Sequence, residues 1–191
     1  MLGRVVDYVH VERGIIPRDH CKQTLAVIEN ADWTPNQWHN PVKNETFSDE
    51  REPDMLFATP ESNALLAPAI LKAVQNYINS HAHDASSRTK SIVTRFSYVR
   101  FNRYRAGQGM AIHVDHIHSL FDGEQKGIPV LSFVGNLNED YEGGDLAFFG
   151  GEHSVALKTG DICIFPSCFL YPHQAQEVTR GTRYSFAAWG W

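Results

Sequence analysis

Tyr98–His116, "YVRFNRYRAGQGMAIHVDH", is the stretch on which the fold turns. Two runs rich in valine, isoleucine and aromatic residues flank Ala106–Gly109, "AGQG", whose glycines suit a turn. The same texture continues to the C-terminus. "IPVLSFVGNL", "GDLAFFG", "HSVALK", "GDICIFP" and "TRYSFAAWGW" are short β-prone runs, and "EDYEGG", "FFGG", "KTGD" and "TRGT" punctuate them. Many short strands between glycine turns predict a sandwich, jelly roll or small barrel.

Upstream the pattern is helical. "IPRDHCKQTLAVIENADW" sets Cys21, Leu25 and Ile28 on one stripe, with Asp19 as N-cap after Pro17. "ATPESNALLAPAILKAVQNYINSH" is a longer helix, capped by Thr59 and opened by Pro60, with Leu66, Ile70, Ala73 and Tyr77 as its apolar stripe. Pro68 should kink it or split its first turn. The polar segment "WTPNQWHNPVKNETFSDEREPDM" between the helices reads as a long ordered loop or short strands. Helices first and strands after, without alternation, give an α+β, mainly β chain. We expect a single domain over 1–191, with helical and loop support over 1–89 and a β core over 90–191.

The chain's 191 residues suffice for one sizeable core. A net charge of −5, with lysine and arginine spread along the chain, lacks the basic footprint that phosphate neutralisation demands, so no nucleic-acid partner is expected. Three cysteines, Cys21, Cys163 and Cys168, are too few and odd for a disulfide scaffold and suit a reducing compartment. The N-terminus lacks an apolar signal run, and no stretch approaches a membrane span. A cytoplasmic location is the expectation.

The chemistry centres on "HVD". On a strand, residues i and i+2 face one side, so His113 and Asp115 can converge on one ion while Val114 points away. His173, after the strand "DICIF", is the candidate third ligand. Two histidines and one carboxylate on one face of an octahedral ion leave three positions open, the arrangement non-haem Fe(II) uses in oxygenases. Arg183, ten residues after His173, could hold a carboxylate bidentately, with Arg180 as its rival. A cupin-like set, His116, His118 and Glu124, is weaker. A zinc reading on Cys163, Cys168 and His173 lacks a fourth ligand. A non-catalytic metal- or sugar-binding jelly roll predicts no role for Arg183.

Taken together, "YVRFNRYRAGQGMAIHVDH", "LSFVGNLNEDYEGGDLAFF" and "LKTGDICIFPSCFLYPHQAQEVTRGTRYSFAAW" resemble the Fe(II)/2-oxoglutarate-dependent oxygenases, in their prolyl 4-hydroxylase-like branch. The resemblance covers roughly residues 90–191 and implies a double-stranded β-helix (jelly-roll) core on supporting N-terminal helices. It implies Fe(II) held by His113, Asp115 and His173, with the distal carboxylate of 2-oxoglutarate on Arg183 and Tyr104 beside the cosubstrate. Dioxygen would be the oxidant and ascorbate a candidate auxiliary reductant. The reaction would couple decarboxylation of 2-oxoglutarate, to succinate and carbon dioxide, with hydroxylation of a C–H bond.

One departure stands out. Many prolyl hydroxylases have a tyrosine three residues before the first ligand, where this chain has Met110, so the cosubstrate grip would use another hydroxyl, Tyr104 or Thr182, or be weaker. Asp145 in "GGD" should be structural, bonding local backbone amides. The carboxylate of Asp115 favours hydroxylation over halogenation. Trp189 stands where alkylated-base demethylases carry a second arginine, which argues against nucleic-acid repair. The implied substrate is a prolyl residue of a peptide or protein, followed by a free amino acid or another peptidyl residue. Trp38 could cover a peptide groove or pin its loop to the core.

Overall fold

In the computed structural model, the residues described are 4–40, 43–81, 93–115 and 128–191. A 3-10 turn at Val5–Tyr8 leads into β1 (His10–Glu12), α1 (Arg18–Ile28), β2 (Thr34–Pro35), β3 (Trp38–Asn40), β4 (Glu45–Phe47), β5 (Asp54–Phe57) and α2 (Pro60–His81). The β-rich half follows: β6 (Arg100–Arg105), β7 (Met110–His113), β8 (Leu131–Asn136), β9 (Glu142–Gly143), β10 (Leu146–Phe148) and β11 (His153–Val155). It closes with β12 (Ile162–Pro166), β13 (His173–Ala175), β14 (Val178–Arg180) and β15 (Thr182–Gly190).

Seven strands, in the order β1-β12-β8-β15-β6-β5-β2, make a large sheet, and β11-β10-β13-β7 make a smaller one. Every ladder is antiparallel. Both helices cover the outer face of the large sheet. Cys21 and Ile28 of α1 and Leu66, Ile70, Ala73 and Tyr77 of α2 join Phe101, Phe133, Ile164 and Phe186 in one buried core. A second core, with Leu146, Phe148, Cys163 and Phe165, packs between the sheets. Two-residue alternation therefore gives the large sheet an apolar helix side and an inner side free for polar residues.

The helical stripes fall as their periodicity predicts, although the ends differ. Pro17, not Asp19, is the N-cap of α1, and its carbonyl accepts from the Cys21 N–H at 3.1 Å. Asp19 instead sits in the first turn, where a carboxylate complements the helix dipole. Thr59 caps α2 reciprocally: the Ser62 N–H donates to Thr59 Oγ1 at 3.3 Å and the Thr59 N–H to Ser62 Oγ at 3.0 Å. That helix runs unbroken through Pro68, so burial of its stripe outweighs one missing backbone bond.

The inter-helix segment forms short strands. The first 89 residues also extend the large sheet, with β1 along β12 and β5 along β6. No helix among the described residues is long and apolar enough to cross a membrane.

Candidate metal centre

Strands β7 and β13 lie side by side, and their register sets His113 opposite His173. The imidazole centroids are 4.4 Å apart. Asp115 lies in a bend just past the end of β7, not on the strand as its spacing suggested. Its carboxylate is buried between the rings, with Oδ1 3.5 Å from His113 Nε2 and Oδ2 3.8 Å from His173 Nε2. One ligand atom from each residue falls within 4.8 Å of the other two, and among the described residues no other group gathers in this way.

Backbone carbonyls fix the tautomers. His113 Nδ1 is 2.8 Å from the Ala111 carbonyl and His173 Nδ1 is 3.0 Å from that of Tyr171. A carbonyl can only accept, so each Nδ1 carries a proton and each Nε2 is turned toward the shared space. Burial works to raise the Asp115 pKa. The hydrogen bond from His113 and the nearby charges of His173 and His113 outweigh it and hold the carboxyl below the usual range. Burial also lowers the His173 pKa, against the pull of Asp115. A metal ion would take the place of the proton that His113 shares with Asp115, and the resulting set of two Nε2 lone pairs and one carboxylate oxygen fits the two-histidine, one-carboxylate face of Fe(II).

The three residues line one cavity between the sheets. Its floor is the inner side of β6 and β15. Tyr104 pairs with Arg183, Asn102 with Ser185 and Arg100 with Ala187, and Trp189 continues the row. Arg183 is fully buried. Its Nε donates to Asn136 Oδ1 at 3.1 Å, and its guanidinium lies 5.1 Å from the Tyr104 ring centre.

Five buried side-chain atoms of the described residues have no hydrogen-bond partner: Arg183 Nη2, Ser185 Oγ, Asn102 Oδ1, Arg100 Nε and Trp189 Nε1. All five belong to residues of this one face. An isolated orphan can be an accident of packing, whereas four on residues that line one cavity mark a surface arranged for polar ligands.

The cavity unites His113, Asp115, His173, Arg183 and Tyr104. Met110 also lines it, and Tyr104 brings the phenol, while Thr182 is not among the lining residues. Arg180 is exposed and pairs with Glu142. Cys163 is buried in the core and forms no metal-ligating group with Cys168 and His173 among the described residues. Asp145 bonds the Ser154 hydroxyl at 3.3 Å rather than a backbone amide. His116, His118 and Glu124 lie outside the described residues. Trp38 stands edge-on to His113, with ring centres 5.4 Å apart, so its loop reaches the metal side of the cavity.

Sequence reasoning missed Asn136, Arg100 and Asn102. The signal for the last two was available: in "RFNRY" they alternate with Phe101 and Arg103, on the face of Tyr104.

Residues 99–191 match the family model of the 2OG-Fe(II) oxygenase superfamily. A PKHD-type hydroxylase of Psychrobacter sp. (strain PRwf-1) is 38% identical over 94 residues, which are 47% of this chain and 36% of that protein. One from Janthinobacterium sp. (strain Marseille) is 30% identical over 136 residues, 65% of this chain and 56% of that one. The matches to the first of these relatives thus span well under half of their length. Among solved structures, a Pseudomonas putida prolyl-4-hydroxylase superposes with a TM-score of 0.65 at 20% identity, covering 97% of this chain and 96% of its own. A Trichoplax adhaerens prolyl hydroxylase, solved with a hypoxia inducible factor oxygen degradation domain peptide fragment, gives 0.69 at 16% identity, covering 98% and 87%. The two sheets and two helices thus have the jelly-roll fold of that group.

Proposed function

We propose that this chain, whose residues 99–191 belong to the 2OG-Fe(II) oxygenase superfamily, is an Fe(II)- and 2-oxoglutarate-dependent dioxygenase. It hydroxylates a C–H bond, of a prolyl residue in a peptide or protein in the first instance, with succinate and carbon dioxide as coproducts. One observation carries the reading: a three-residue metal-ligating group shares a cavity with a buried guanidinium whose Nη2 has no partner.

In this reading His113, Asp115 and His173 hold the iron through Nε2, carboxylate oxygen and Nε2. When bound, iron supplies the oxidising chemistry by activating dioxygen at the expense of 2-oxoglutarate. The residues of the chain bind and orient. Arg183 takes the distal carboxylate with Nη2 while Asn136 keeps Nε in place, and Tyr104 fixes the guanidinium plane from below and adds a phenol. Phe148 and Phe165, with ring centres 5.7 and 4.7 Å from His173, wall that ligand off from water. Ascorbate would serve only to restore iron oxidised in uncoupled turnover. The free thiols of Cys21, Cys163 and Cys168 support a reducing, cytoplasmic setting.

The test is succinate formation from 2-oxoglutarate by the purified chain with Fe(II) in air, beside Asp115→Ala, with anaerobic titration of 2-oxoglutarate into the iron form. Succinate from the unmutated chain alone is the expected result. Failure of the iron form to bind 2-oxoglutarate would overturn the reading.

A further inference from the structure

Arg183 is not the only guanidinium in the cavity. Arg100 lines it too, from the far end of the same sheet face. Tyr104, the partner of Arg183, lies four positions along β6 from Arg100, or roughly 13 Å along the strand. The metal ligands come from the facing sheet. A cosubstrate anchored on Arg183 and chelating the metal therefore leaves Arg100 on the side from which a second molecule must approach.

The state of Arg100 is unusual for an arginine. Its strand neighbours Arg103 and Arg105, on the opposite face, both pair with Asp54, at 2.8 and 2.7 Å. Arg100 makes no ion pair among the described residues, and its Nε is buried without a partner. Its guanidinium lies 5.4 Å from the Trp189 ring centre, so its plane is held, and Trp189 Nε1 beside it is orphaned as well. Two unsatisfied donors at one end of a cavity, one of them cationic, call for an anionic acceptor. Asp115, the carboxylate among the lining residues, and Glu52, outside that lining, are both already engaged. Asp115 stands between the two histidines, and Glu52 Oε1, near Arg100, accepts the Ala111 N–H at 2.9 Å.

We propose that Arg100 is a specificity-determining residue that binds a carboxylate of the substrate to be hydroxylated, with Trp189 Nε1 as second donor. The inference rests on the dioxygenase reading, because that reading assigns Arg183 to the cosubstrate. The carboxylate could be the α-carboxylate of a terminal or free residue, or an acidic side chain beside the hydroxylated position. Both offer the planar pair of oxygens that a guanidinium fork matches.

The experiment is calorimetric binding to the full chain loaded with Mn(II) and saturated with 2-oxoglutarate, so no turnover is needed. The probes are N-acetyl-L-proline, N-acetyl-L-prolinamide, and N-acetyl-Pro-Asp-amide with its Pro-Asn counterpart. Saturable 2-oxoglutarate binding comes first, and its failure counts against the dioxygenase reading itself. With that in hand, we expect one acid to bind roughly tenfold or more tightly than its amide. The pair that shows the preference identifies the source of the carboxylate.

In Arg100→Met the preference should fall to within about twofold, while Arg100→Lys, which keeps the charge but not the fork, should retain part of it. Lysine also guards against a misfolded methionine variant, since both must still bind 2-oxoglutarate to be scored. Equal binding of acids and amides, no binding of any probe, or a preference that survives Arg100→Met would each overturn the proposal.

Discussion

Asn136 shows how one residue can govern a site without facing its ligand. Its Oδ1 holds Arg183 Nε at 3.1 Å, while its Nδ2 reaches the carbonyls of Asn138 and Leu157 at 2.6 and 3.1 Å. Asn136→Ala should therefore loosen both the arginine and the adjoining turns. We expect a stability loss of about 2 kcal/mol, from buried groups left unpaired, and a fall in 2-oxoglutarate affinity of roughly tenfold. Arg183→Met should cost more affinity, roughly a hundredfold, because the charge itself is lost. Denaturant melts and anaerobic titration of 2-oxoglutarate into the Mn(II) form measure the two effects. An Asn136→Ala affinity equal to that of the unmutated chain would remove its positioning role. The residues gathered at the candidate site were suggested in sequence by spacing, His113 and Asp115 two apart and Arg183 ten after His173, and joined into one set by the resemblance. Asn136 was not, because its contact depends on the β8–β15 register, which sets it beside Ser185.

Between residue and fold, the turns do the positioning. Gly144 has φ of +70°, and a Cβ there would stand 3.0 Å from Arg183 Cδ and 3.0 Å from Val178 Cγ2. The glycines of "YEGGDL" thus set the backbone against the very side chain that faces the cavity. Gly144→Ala should cost about 2 kcal/mol, part backbone strain and part crowding, and should weaken 2-oxoglutarate binding by displacing Arg183. Gly107 is the control: its φ is +87°, but a Cβ would meet nothing within 4 Å. Gly107→Ala should carry the strain alone and leave 2-oxoglutarate affinity near that of the unmutated chain. Equal affinity losses in the two variants would mean that strain, not the contact with Arg183, is responsible.

Glycine turns and helical stripes could be read from sequence because their signals are local. The short strand β1 could not. β1 is only His10–Glu12, and what fixes it is distant: just beyond it, Asp161 Oδ1 and Oδ2 accept from the Gly14 N–H at 2.8 Å and Arg13 Nη1 at 2.6 Å. The end of β7 was misplaced for the same reason. Asp115 reaches the histidines from a bend, and no pattern of alternation records a bend.

At the scale of the whole molecule, the site divides between two sheets. His113 and His173 belong to the small sheet, with Asp115 just past its edge, whereas Arg183, Tyr104 and Arg100 belong to the large one. Strand order across such a sandwich has no local signature, so the facing of these two groups could not be read without the resemblance. It has a thermodynamic consequence. A metal ion alone ties together residues of the small sheet and its margin. In the dioxygenase reading, 2-oxoglutarate chelated to that ion and held by Arg183 ties one sheet to the other. At about a hundred times its Kd, a ligand that binds only the folded chain adds about 2.7 kcal/mol. For a domain of this size that raises Tm by roughly 5 to 10 °C. We expect that rise when 2-oxoglutarate is added to the Mn(II) form, and its loss when the metal is removed by chelation. His173→Ala should lose both the metal and the cosubstrate increments. Arg183→Met should keep the first and lose most of the second at the same 2-oxoglutarate concentration. If 2-oxoglutarate raised Tm in both variants by as much as in the unmutated chain, it would be binding elsewhere than across the sheets, and the division of labour between Arg183 and the histidines would fall.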